Sequence, residues 1–348
     1  VGWGGVVGLW LDPRRRAVFL LLAGRGGGGP PRDTLDIHFI DTEGGQATLL
    51  VTPSGESLLI DAGYPGNGGR DANRIVAAAK KAGLKQIDWL LVTHYHLDHV
   101  GGVPDLAQRF PVKAFIDHGS NTETGPRAEE LERNYQAVLA TGARRLTVKP
   151  GDLLPLKDIR VEVVTARGER IPKPLPAGGQ RNPLCGEEAR KAEDLGENGK
   201  SIGVVITFGA FRFANLGDLT WNYELDIACP EHFIGPVDLY LTTHHGLDLS
   251  GPKAIVHGMR PRVAVMNNGA RKGGGRFAWR IVSTSPGLED LWQLHYSIQG
   301  GTEFNVSAER ISNLEEQCEG HGLEVKVEKS GAFQVVNLRN GHRKHYPR

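Results

Sequence analysis

The chain has 348 residues, of which 39% are hydrophobic and 23% are charged, and its formal net charge is +1 at pH 7. This composition is typical of a globular protein with one large domain or two modest ones. Beyond the first 31 residues there is no block of basic residues, so the sequence carries no strong signature of nucleic-acid binding. A local basic cleft formed by scattered residues is the alternative that the composition allows. The 47 glycines favour a loop-rich sandwich over a helical bundle.

Residues 1–31 differ in composition from the rest of the chain. Arg14–Arg16 precede the short apolar stretch Ala17–Ala23, and a glycine run and two prolines follow. A positive region before a short apolar one is typical of a secretory signal, and the apolar stretch is shorter than the roughly 20 residues that a membrane-spanning helix needs. The pattern favours export to the periplasm or outside the cell, and a leader without that role in a cytoplasmic protein is the alternative. No other segment predicts a membrane span.

Three cysteines, Cys185, Cys229 and Cys318, are too few for a disulfide scaffold, and none lies in a Cys-x-x-Cys pair. One disulfide and one free thiol would suit an oxidising compartment, whereas three buried, inert thiols are the alternative. Nothing in the sequence indicates the oligomeric state.

The first half of the chain predicts a β-meander followed by alternating helices and strands. Residues 35–41 alternate apolar and polar as a half-exposed strand does, and strands at 47–52 and 57–63 follow. The third strand ends in Asp61, Ala62 and Gly63. A helix is predicted over 70–82, and the strand of residues 87–92 comes after it.

This strand leads into a cluster of residues that can bind metal ions. His94, His96, Asp98 and His99 lie within six positions, directly after an apolar run. Imidazole is the commonest protein ligand for borderline metals, and carboxylate is a suitable partner. His94 and His96 are two positions apart, so on an extended strand end they project to the same side. Four such side chains at this spacing predict a metal site rather than a solvated loop.

The second half repeats this arrangement. Strands predicted over 201–208 and 210–216 end at Asp218, and a further apolar strand ends at His244 and His245. An earlier strand over 112–117 leads to His118, which is interpreted as a supporting or loop histidine. Residues 167–200 carry four prolines and many charged residues, and predict either a lid or selectivity loop or a plain surface insertion.

The His-x-His-x-Asp-His spacing, followed by two glycines, resembles the signature of the metallo-β-lactamase fold superfamily. The order of Asp61, the segment 94–99, Asp218 and the His-His-Gly at 244–246 is similar to the stand-alone relatives of the ComEC competence-protein nuclease domain. The resemblance implies an α/β (α+β) fold, a four-layer αββα sandwich, spanning residues 32–270. Residues 271–348 are predicted to form a C-terminal extension packed on this domain.

The resemblance also implies roles for these residues. Asp61 would support the metal loop by hydrogen bonding, and Asp218 would bridge two ions. The ligand sets would be His94 and His96 with a weak third ligand for one ion, and Asp98, His99 and His244 for the other, with His245 beside the site. Asp98 and His99 are the candidate catalytic residues, because the ion that they hold would activate a water molecule.

One departure from the superfamily concerns the third ligand of the first ion. Glu197 falls, by count, where most members have a histidine, and Asn198 matches an asparagine of the ComEC-like branch. Fewer imidazoles and more oxygen ligands shift metal preference from zinc toward manganese or iron. Zinc, as one or two ions, is the predicted cofactor, and manganese and iron are the alternatives.

The predicted function is therefore that of a metal-dependent hydrolase acting on a small molecule, with a phosphodiester as the favoured substrate. Hydrolysis of an ester, lactone or β-lactam is the first alternative, because the same metal-activated water serves all of these reactions. A non-catalytic metal- or ligand-binding module is the second alternative, motivated by the missing histidine. Fold alone does not select among them.

Overall fold

A computed structural model describes residues 33–348, and the predicted leader of residues 1–31 lies outside them. Within the described part of the chain, no helix is both long and apolar enough to cross a membrane. The strands in chain order are β1 (Leu35–Phe39), β2 (Thr48–Val51), β3 (Ser57–Ile60), β4 (Trp89–Leu91), β5 (Ala114–Asp117), β6 (Arg144–Thr147), β7 (Arg160–Ala166), β8 (Glu169–Arg170), β9 (Gln180–Arg181), β10 (Gly203–Phe208), β11 (Phe211–Asn215), β12 (Glu231–His232), β13 (Leu239–Leu241), β14 (Val263–Met266), β15 (Asp290–His295), β16 (Ile311–Asn313), β17 (Leu323–Val327), β18 (Phe333–Asn337) and β19 (Arg343–Tyr346). The helices are α1 (Arg70–Lys81), α2 (Val103–Ala107), α3 (Pro126–Leu139), α4 (Trp221–Ala228), α5 (Lys253–Met259) and α6 (Arg276–Ser283).

Two large sheets contain most of these strands. The first has nine strands in the order β19-β18-β17-β1-β2-β3-β4-β5-β6, and the second has eight in the order β16-β15-β14-β13-β11-β10-β7-β8. The run β3-β4-β5-β6 is parallel, and so is the run β11-β13-β14. Each sheet therefore has one edge at which the carboxyl ends of several parallel strands come together.

Three apolar clusters separate four layers. One cluster lies between the sheets and includes Leu50, Ile60 and Phe213. A second packs α1–α3 on the outer face of the first sheet, and a third packs α4–α6 on the outer face of the second. Burying a large apolar side chain contributes roughly 1.5–3 kcal/mol, so these clusters supply the main stabilisation. The predicted four-layer αββα sandwich is confirmed.

The strand β2 shows why the sequence forms a sandwich with helices on both outer faces. Leu50 belongs to the cluster between the sheets, whereas Leu49 and Val51 belong to the cluster under the helices. Successive side chains of a strand point to opposite faces, so a strand that is covered on both sides reads as a continuous apolar run.

Residues 271–348 are built into the sandwich instead of forming the predicted extension. They contribute α6, and β15 extends the second sheet by pairing in parallel with β14. In the first sheet, β17 pairs antiparallel with β1, so that Leu35 lies opposite Val327. The aromatic Trp292 is fully buried between the sheets. The difference from the prediction arises because strand partners far apart in sequence leave no local pattern.

The segment of residues 167–200 is held to the second sheet and its helices. Its strand β9 pairs antiparallel with β12, and Cys185 forms a disulfide with Cys229. Cys318 is the free cysteine of the described residues. The last part of the segment 167–200, Glu197–Lys200, forms a 3-10 turn beside the candidate metal centre.

Candidate metal centre

The candidate site lies where the carboxyl ends of parallel strands from both sheets meet. In the first sheet, β3 leads into Asp61 and β4 leads into the segment 93–99. In the second sheet, β11 leads into Asp218 and β13 leads into His244 and His245. Loops at the carboxyl ends of parallel strands are the usual place for a binding site in α/β sheets.

Four buried side chains converge here, Asp98, His99, Asp218 and His245, and one ligand atom of each lies within 4.8 Å of the others. His99 Nε2 lies 3.3 Å from His245 Nε2 and 3.1 Å from Asp218 Oδ2. His245 Nε2 lies 3.2 Å from Oδ2 of both aspartates. Around a tetrahedral zinc with bonds of ~2.0–2.1 Å, neighbouring ligand atoms are about 3.3 Å apart. The four atoms thus have the spacing of ligands around one ion.

Asp61 orients His99 from behind the site. Its Oδ1 accepts a 2.8 Å hydrogen bond from the Thr93 backbone N–H, and its Oδ2 accepts from the Thr93 hydroxyl at 2.7 Å and from His99 Nδ1 at 2.8 Å. Because Nδ1 of His99 carries the hydrogen, its Nε2 presents a lone pair to the converging group. Asp61 is fully buried and is not a member of that group.

His94 and His96 supply two further candidate ligand atoms, separate from the converging group of four. His94 Nε2 lies 3.1 Å from His96 Nδ1. The Thr93 hydroxyl gives its hydrogen to Asp61, so it accepts from His94 Nδ1 at 3.1 Å. His96 Nε2 donates to Glu123 Oε1 at 3.1 Å. The lone pairs of His94 Nε2 and His96 Nδ1 therefore face each other, an arrangement that a cation between them would stabilise.

His244 is oriented in the same manner. The Ser250 hydroxyl gives its hydrogen to the Leu219 carbonyl at 2.8 Å and accepts from His244 Nδ1 at 3.1 Å. The Nε2 atom of His244 lies 3.5 Å from Asp218 Oδ2.

The backbone separates the two adjacent histidines. His244 and His245 have φ values of 56° and 55°, a left-handed conformation that is uncommon outside glycine and that concentrates at functional sites. Their ring centroids are 6.2 Å apart. The motif order predicts His244 as the last ligand, whereas the structure places His245, and not His244, in the converging group.

Glu197, predicted by count to replace the third histidine, is engaged elsewhere. Its Oε1 accepts from the backbone N–H and the hydroxyl of Thr122, both at 2.6 Å. Its Oε2 accepts from the Tyr95 backbone N–H and from His118 Nε2, both at 3.0 Å. A carboxylate offers about four lone-pair sites, and these four donors occupy them. Glu197 consequently has no lone pair left for an ion beside His94 and His96.

His118 and Asn198 lie on the same side as Glu197. His118 is fully buried, with its ring edge-on to Tyr95 at a centroid distance of 5.1 Å. The Asn198 backbone carbonyl accepts from Ser201 at 3.1 Å, and its side-chain oxygen is buried without a partner in residues 33–348. No hydrogen bond or ion pair in this part of the chain joins either side chain to the converging group.

Two further residues, Lys272 and Tyr64, lie beside the site and are not predicted from the sequence. Lys272 forms an ion pair with Asp98 Oδ2 and donates to the Tyr64 hydroxyl at 3.3 Å. Lys272 lies in a glycine-rich segment after β14, which ends at the same sheet edge as β13. The polar, glycine-rich residues directly after an apolar strand were the available signal.

Burial and charge act against each other in this site. Burial raises the pKa of Asp98 and Asp218, but the surrounding histidines outweigh it, so that both pKa values lie well below the ordinary range. Burial lowers the pKa of His99, but Asp218, Asp98 and Asp61 raise it to a net value well above the ordinary one. Burial lowers the pKa of His244 to about 4. The carboxylates thus favour a positive charge at their centre, which a divalent ion would supply.

The residues fit such an ion. Asp218 Oδ1 is buried without a hydrogen-bond partner in residues 33–348, while Oδ2 faces the histidines. A buried carboxylate oxygen is costly unless it is satisfied, so an ion bound there would remove the cost. Imidazole nitrogens and carboxylate oxygens suit zinc, and they also suit manganese and iron. Asp98, His99 and His245 would hold one ion, His94 and His96 the other, and Asp218 could contact both.

Residues 41–180 match the model of the metallo-beta-lactamase superfamily. The matched region contains Asp61 and the whole segment 94–99, on the sandwich described above. This region of the chain is similar to the metallo-β-lactamase superfamily.

Curated relatives match parts of this chain. The hydroxyacylglutathione hydrolase of Xanthomonas axonopodis pv. citri is 30% identical over 119 residues, which are 34% of this chain and 36% of the relative. ComE operon protein 3 of Bacillus subtilis is 26% identical over 188 residues, which are 54% of this chain and 20% of that protein. The matches therefore span about a third or less of these relatives. Among solved structures, the metallo-beta-lactamase fold protein YhfI of Bacillus subtilis has a TM-score of 0.45 at 12% identity, covering 75% of this chain and 96% of that one.

Proposed function

We propose that this protein is a metal-dependent hydrolase that acts through a metal-activated water, with a phosphodiester as its favoured substrate class. The observation that carries the proposal is the convergence of Asp98, His99, Asp218 and His245, with His99 held in the tautomer that ligates. When bound, divalent ions lower the pKa of a water molecule and polarise a phosphoryl or carbonyl oxygen. Zinc is the proposed metal, with manganese or iron as the alternatives.

Each part of the chain has a defined task in this proposal. Asp61 and Thr93 fix the rings of His94 and His99 by accepting their Nδ1 hydrogens. Asp218 presents one oxygen to the histidines and keeps the other without a protein partner in the described residues. These contacts orient the ligand atoms toward the position that the ion would occupy.

We infer that the two ion positions are unequal. The position at Asp98, His99 and His245 has three protein ligands in addition to Asp218. The position at His94 and His96 has two, because Glu197 accepts hydrogen bonds from other residues and is not free to bind an ion there. Fewer protein ligands give weaker binding, so the ion at His94 and His96 should be the more easily removed one.

The substrate would enter beside this centre. A cavity of about 470 Å³ is lined by His96, Asp98, Glu123 and Arg127 together with neighbouring loop residues. This volume is within the range of small-molecule sites, roughly 300–1,000 Å³. The order of motifs, which resembles that of the ComEC competence-protein nuclease domain, supports a phosphodiester. The hydroxyacylglutathione hydrolase relatives support the second candidate, hydrolysis of an ester or a related acyl bond such as a lactone or β-lactam.

The disulfide between Cys185 and Cys229 supports a further part of the proposal, an exported protein. Disulfides persist in the periplasm and outside the cell and are rare in the cytosol.

Elemental analysis of the purified protein and of His96→Ala and His245→Ala variants tests the proposal. We expect bound metal in the native protein, loss of the more weakly held ion in His96→Ala, and loss of the tightly held ion in His245→Ala. Metal-loaded protein should then hydrolyse bis(p-nitrophenyl) phosphate, with p-nitrophenyl acetate as the test of the second candidate. Bound metal without turnover of either compound would favour a non-catalytic module, and a native protein that binds no added divalent metal would overturn the proposal.

A further inference from the structure

A lysine lies directly against the candidate metal centre. The Lys272 ammonium forms an ion pair with Asp98 Oδ2, the same oxygen that lies 3.3 Å from His99 Nε2 and 3.2 Å from His245 Nε2. The lysine side chain keeps 34% of its surface exposed, while the Asp98 side chain keeps 11%. Its charge is therefore both next to the ligands and within reach of a molecule arriving from solvent.

The hydrogen bonds of this lysine leave donors free for a ligand. An ammonium has three hydrogens, and Lys272 directs one to Asp98 and one to the Tyr64 hydroxyl, 3.3 Å away. Within residues 33–348 its third hydrogen has no acceptor. The Tyr64 hydroxyl accepts from Lys272, so its own hydrogen is also available, because no acceptor for it is present among the described residues. Two donors on adjacent side chains thus remain unused.

Two arginines of α1, Arg70 and Arg74, are already paired with carboxylates. Arg70 pairs with Glu43 and Asp71, and Arg74 pairs with Asp41 and Glu43. Lys272, by contrast, pairs with Asp98, which is also a candidate metal ligand. One divalent ion would balance the two carboxylates that contact it, Asp98 and Asp218, and the charge of Lys272 would then attract an anion.

We propose that Lys272 and Tyr64 form an oxyanion-binding subsite beside the metal centre, which selects a substrate with a negatively charged oxygen next to the bond that is cleaved. A non-bridging oxygen of a phosphodiester has this character, whereas a neutral ester has none in its ground state. This inference rests on the proposed function and narrows its substrate class. Charge-assisted hydrogen bonds of this kind are the stronger ones in proteins.

The test measures binding of inorganic phosphate to zinc-loaded protein by isothermal titration calorimetry. Removing the ammonium in Lys272→Met should weaken phosphate binding by about tenfold or more, and Lys272→Arg should restore part of it. Tyr64→Phe, which keeps the Lys272–Asp98 ion pair, should weaken it by about threefold to tenfold. The matched control is Arg271→Met, since Arg271 is the exposed neighbour that pairs with Glu316, and it should bind phosphate as the native protein does.

A kinetic comparison separates anion binding from a purely structural role. In Lys272→Met the ratio of kcat/KM for bis(p-nitrophenyl) phosphate to that for p-nitrophenyl acetate should fall by about tenfold, mainly through KM. Equal losses on both substrates with unchanged phosphate binding would mean that Lys272 only positions Asp98, and would overturn the inference. Metal content, measured on each variant, distinguishes the two proposals: a native protein without metal contradicts the hydrolase, whereas a native metalloprotein whose phosphate affinity ignores Lys272 and Tyr64 contradicts the subsite alone.

Discussion

Asp61 Oδ2 accepts a 2.8 Å hydrogen bond from Nδ1 of His99, 38 positions later in the chain, and both side chains are fully buried. The same carboxylate also accepts from Thr93, which in turn accepts from His94. One carboxylate at the end of β3 thereby sets the orientation of two candidate ligands at the end of β4. Hydrogen-bond partners of this kind are important in metal sites, because they fix the tautomer and the direction of each ligand ring.

Replacing Asp61 should consequently weaken metal binding without removing a ligand. In Asp61→Ala the His99 Nδ1–H and the Thr93 hydroxyl lose their acceptor, and we expect the metal dissociation constant to rise by about 10- to 100-fold. Competition with a chromogenic chelator measures this constant. Asp226→Ala, which removes an exposed carboxylate paired with Arg190, is the control. Native-like metal affinity in Asp61→Ala would contradict the assigned orientation.

The two adjacent histidines should differ in their effect on metal content. His245 Nε2 lies 3.2 Å from both candidate aspartates, whereas His244 Nε2 lies 3.5 Å from Asp218 alone. We expect His245→Ala to lose the tightly held ion and His244→Ala to retain it. Elemental analysis after gel filtration measures the retained metal, and cobalt substitution gives a visible spectrum that reports on the ligand set. The opposite order of loss would restore His244, the residue favoured by the sequence, as the ligand.

Glu197 should be important for stability and not for metal binding. In Glu197→Gln an NH2 group replaces one of the two carboxylate oxygens. That NH2 group then faces hydrogen-bond donors, either the two donors of Thr122 or those of Tyr95 and His118. We expect a loss of about 2 kcal/mol or more in the free energy of unfolding, because hydrogen bonds to a buried charge are worth roughly 1.5–3 kcal/mol. Denaturant unfolding measures this loss. Metal content at saturation should match the native value, and a selective loss of one ion would instead identify Glu197 as a ligand.

Glu224 should make the stability depend on pH. It is fully buried, and burial raises its pKa from the ordinary 4.5 to about 8 in the folded protein, although it accepts from the Gly251 backbone N–H. The folded state therefore binds this proton more tightly than the unfolded state, so the stabilisation is complete below about pH 4.5 and is lost as the pH rises through about 8. Native Tm should fall across this range.

The matching variant is Glu224→Gln, which stays neutral at every pH and should have a flatter Tm profile, with the larger gain over the native protein at pH 8. Glu231→Gln, at an exposed position of β12, is the control. A native profile whose slope is unchanged by Glu224→Gln would show that another group is responsible.

Much of the fold followed from local patterns. The apolar runs that become β4, β10, β11 and β13 were predicted with ends close to those observed, because strands covered on both faces have a continuous apolar sequence. The order of metal-competent residues after these strands also identified the edge of the sandwich where they meet. By contrast, residues 271–348 gave no sign that they complete both sheets, since pairing such as that of Leu35 with Val327 depends on distant segments.

The sequence by itself determined the layered fold and the set of residues from which a metal site could be built, because residue type and spacing are local properties of the chain. Only the tertiary structure decided how these residues are used. The left-handed backbone at His244 and His245 determines which ring enters the converging group. Donors from distant segments occupy all four lone pairs of Glu197. Ligand choice depends on side-chain direction and on free lone pairs, and neither is fixed until the two sheets pack together.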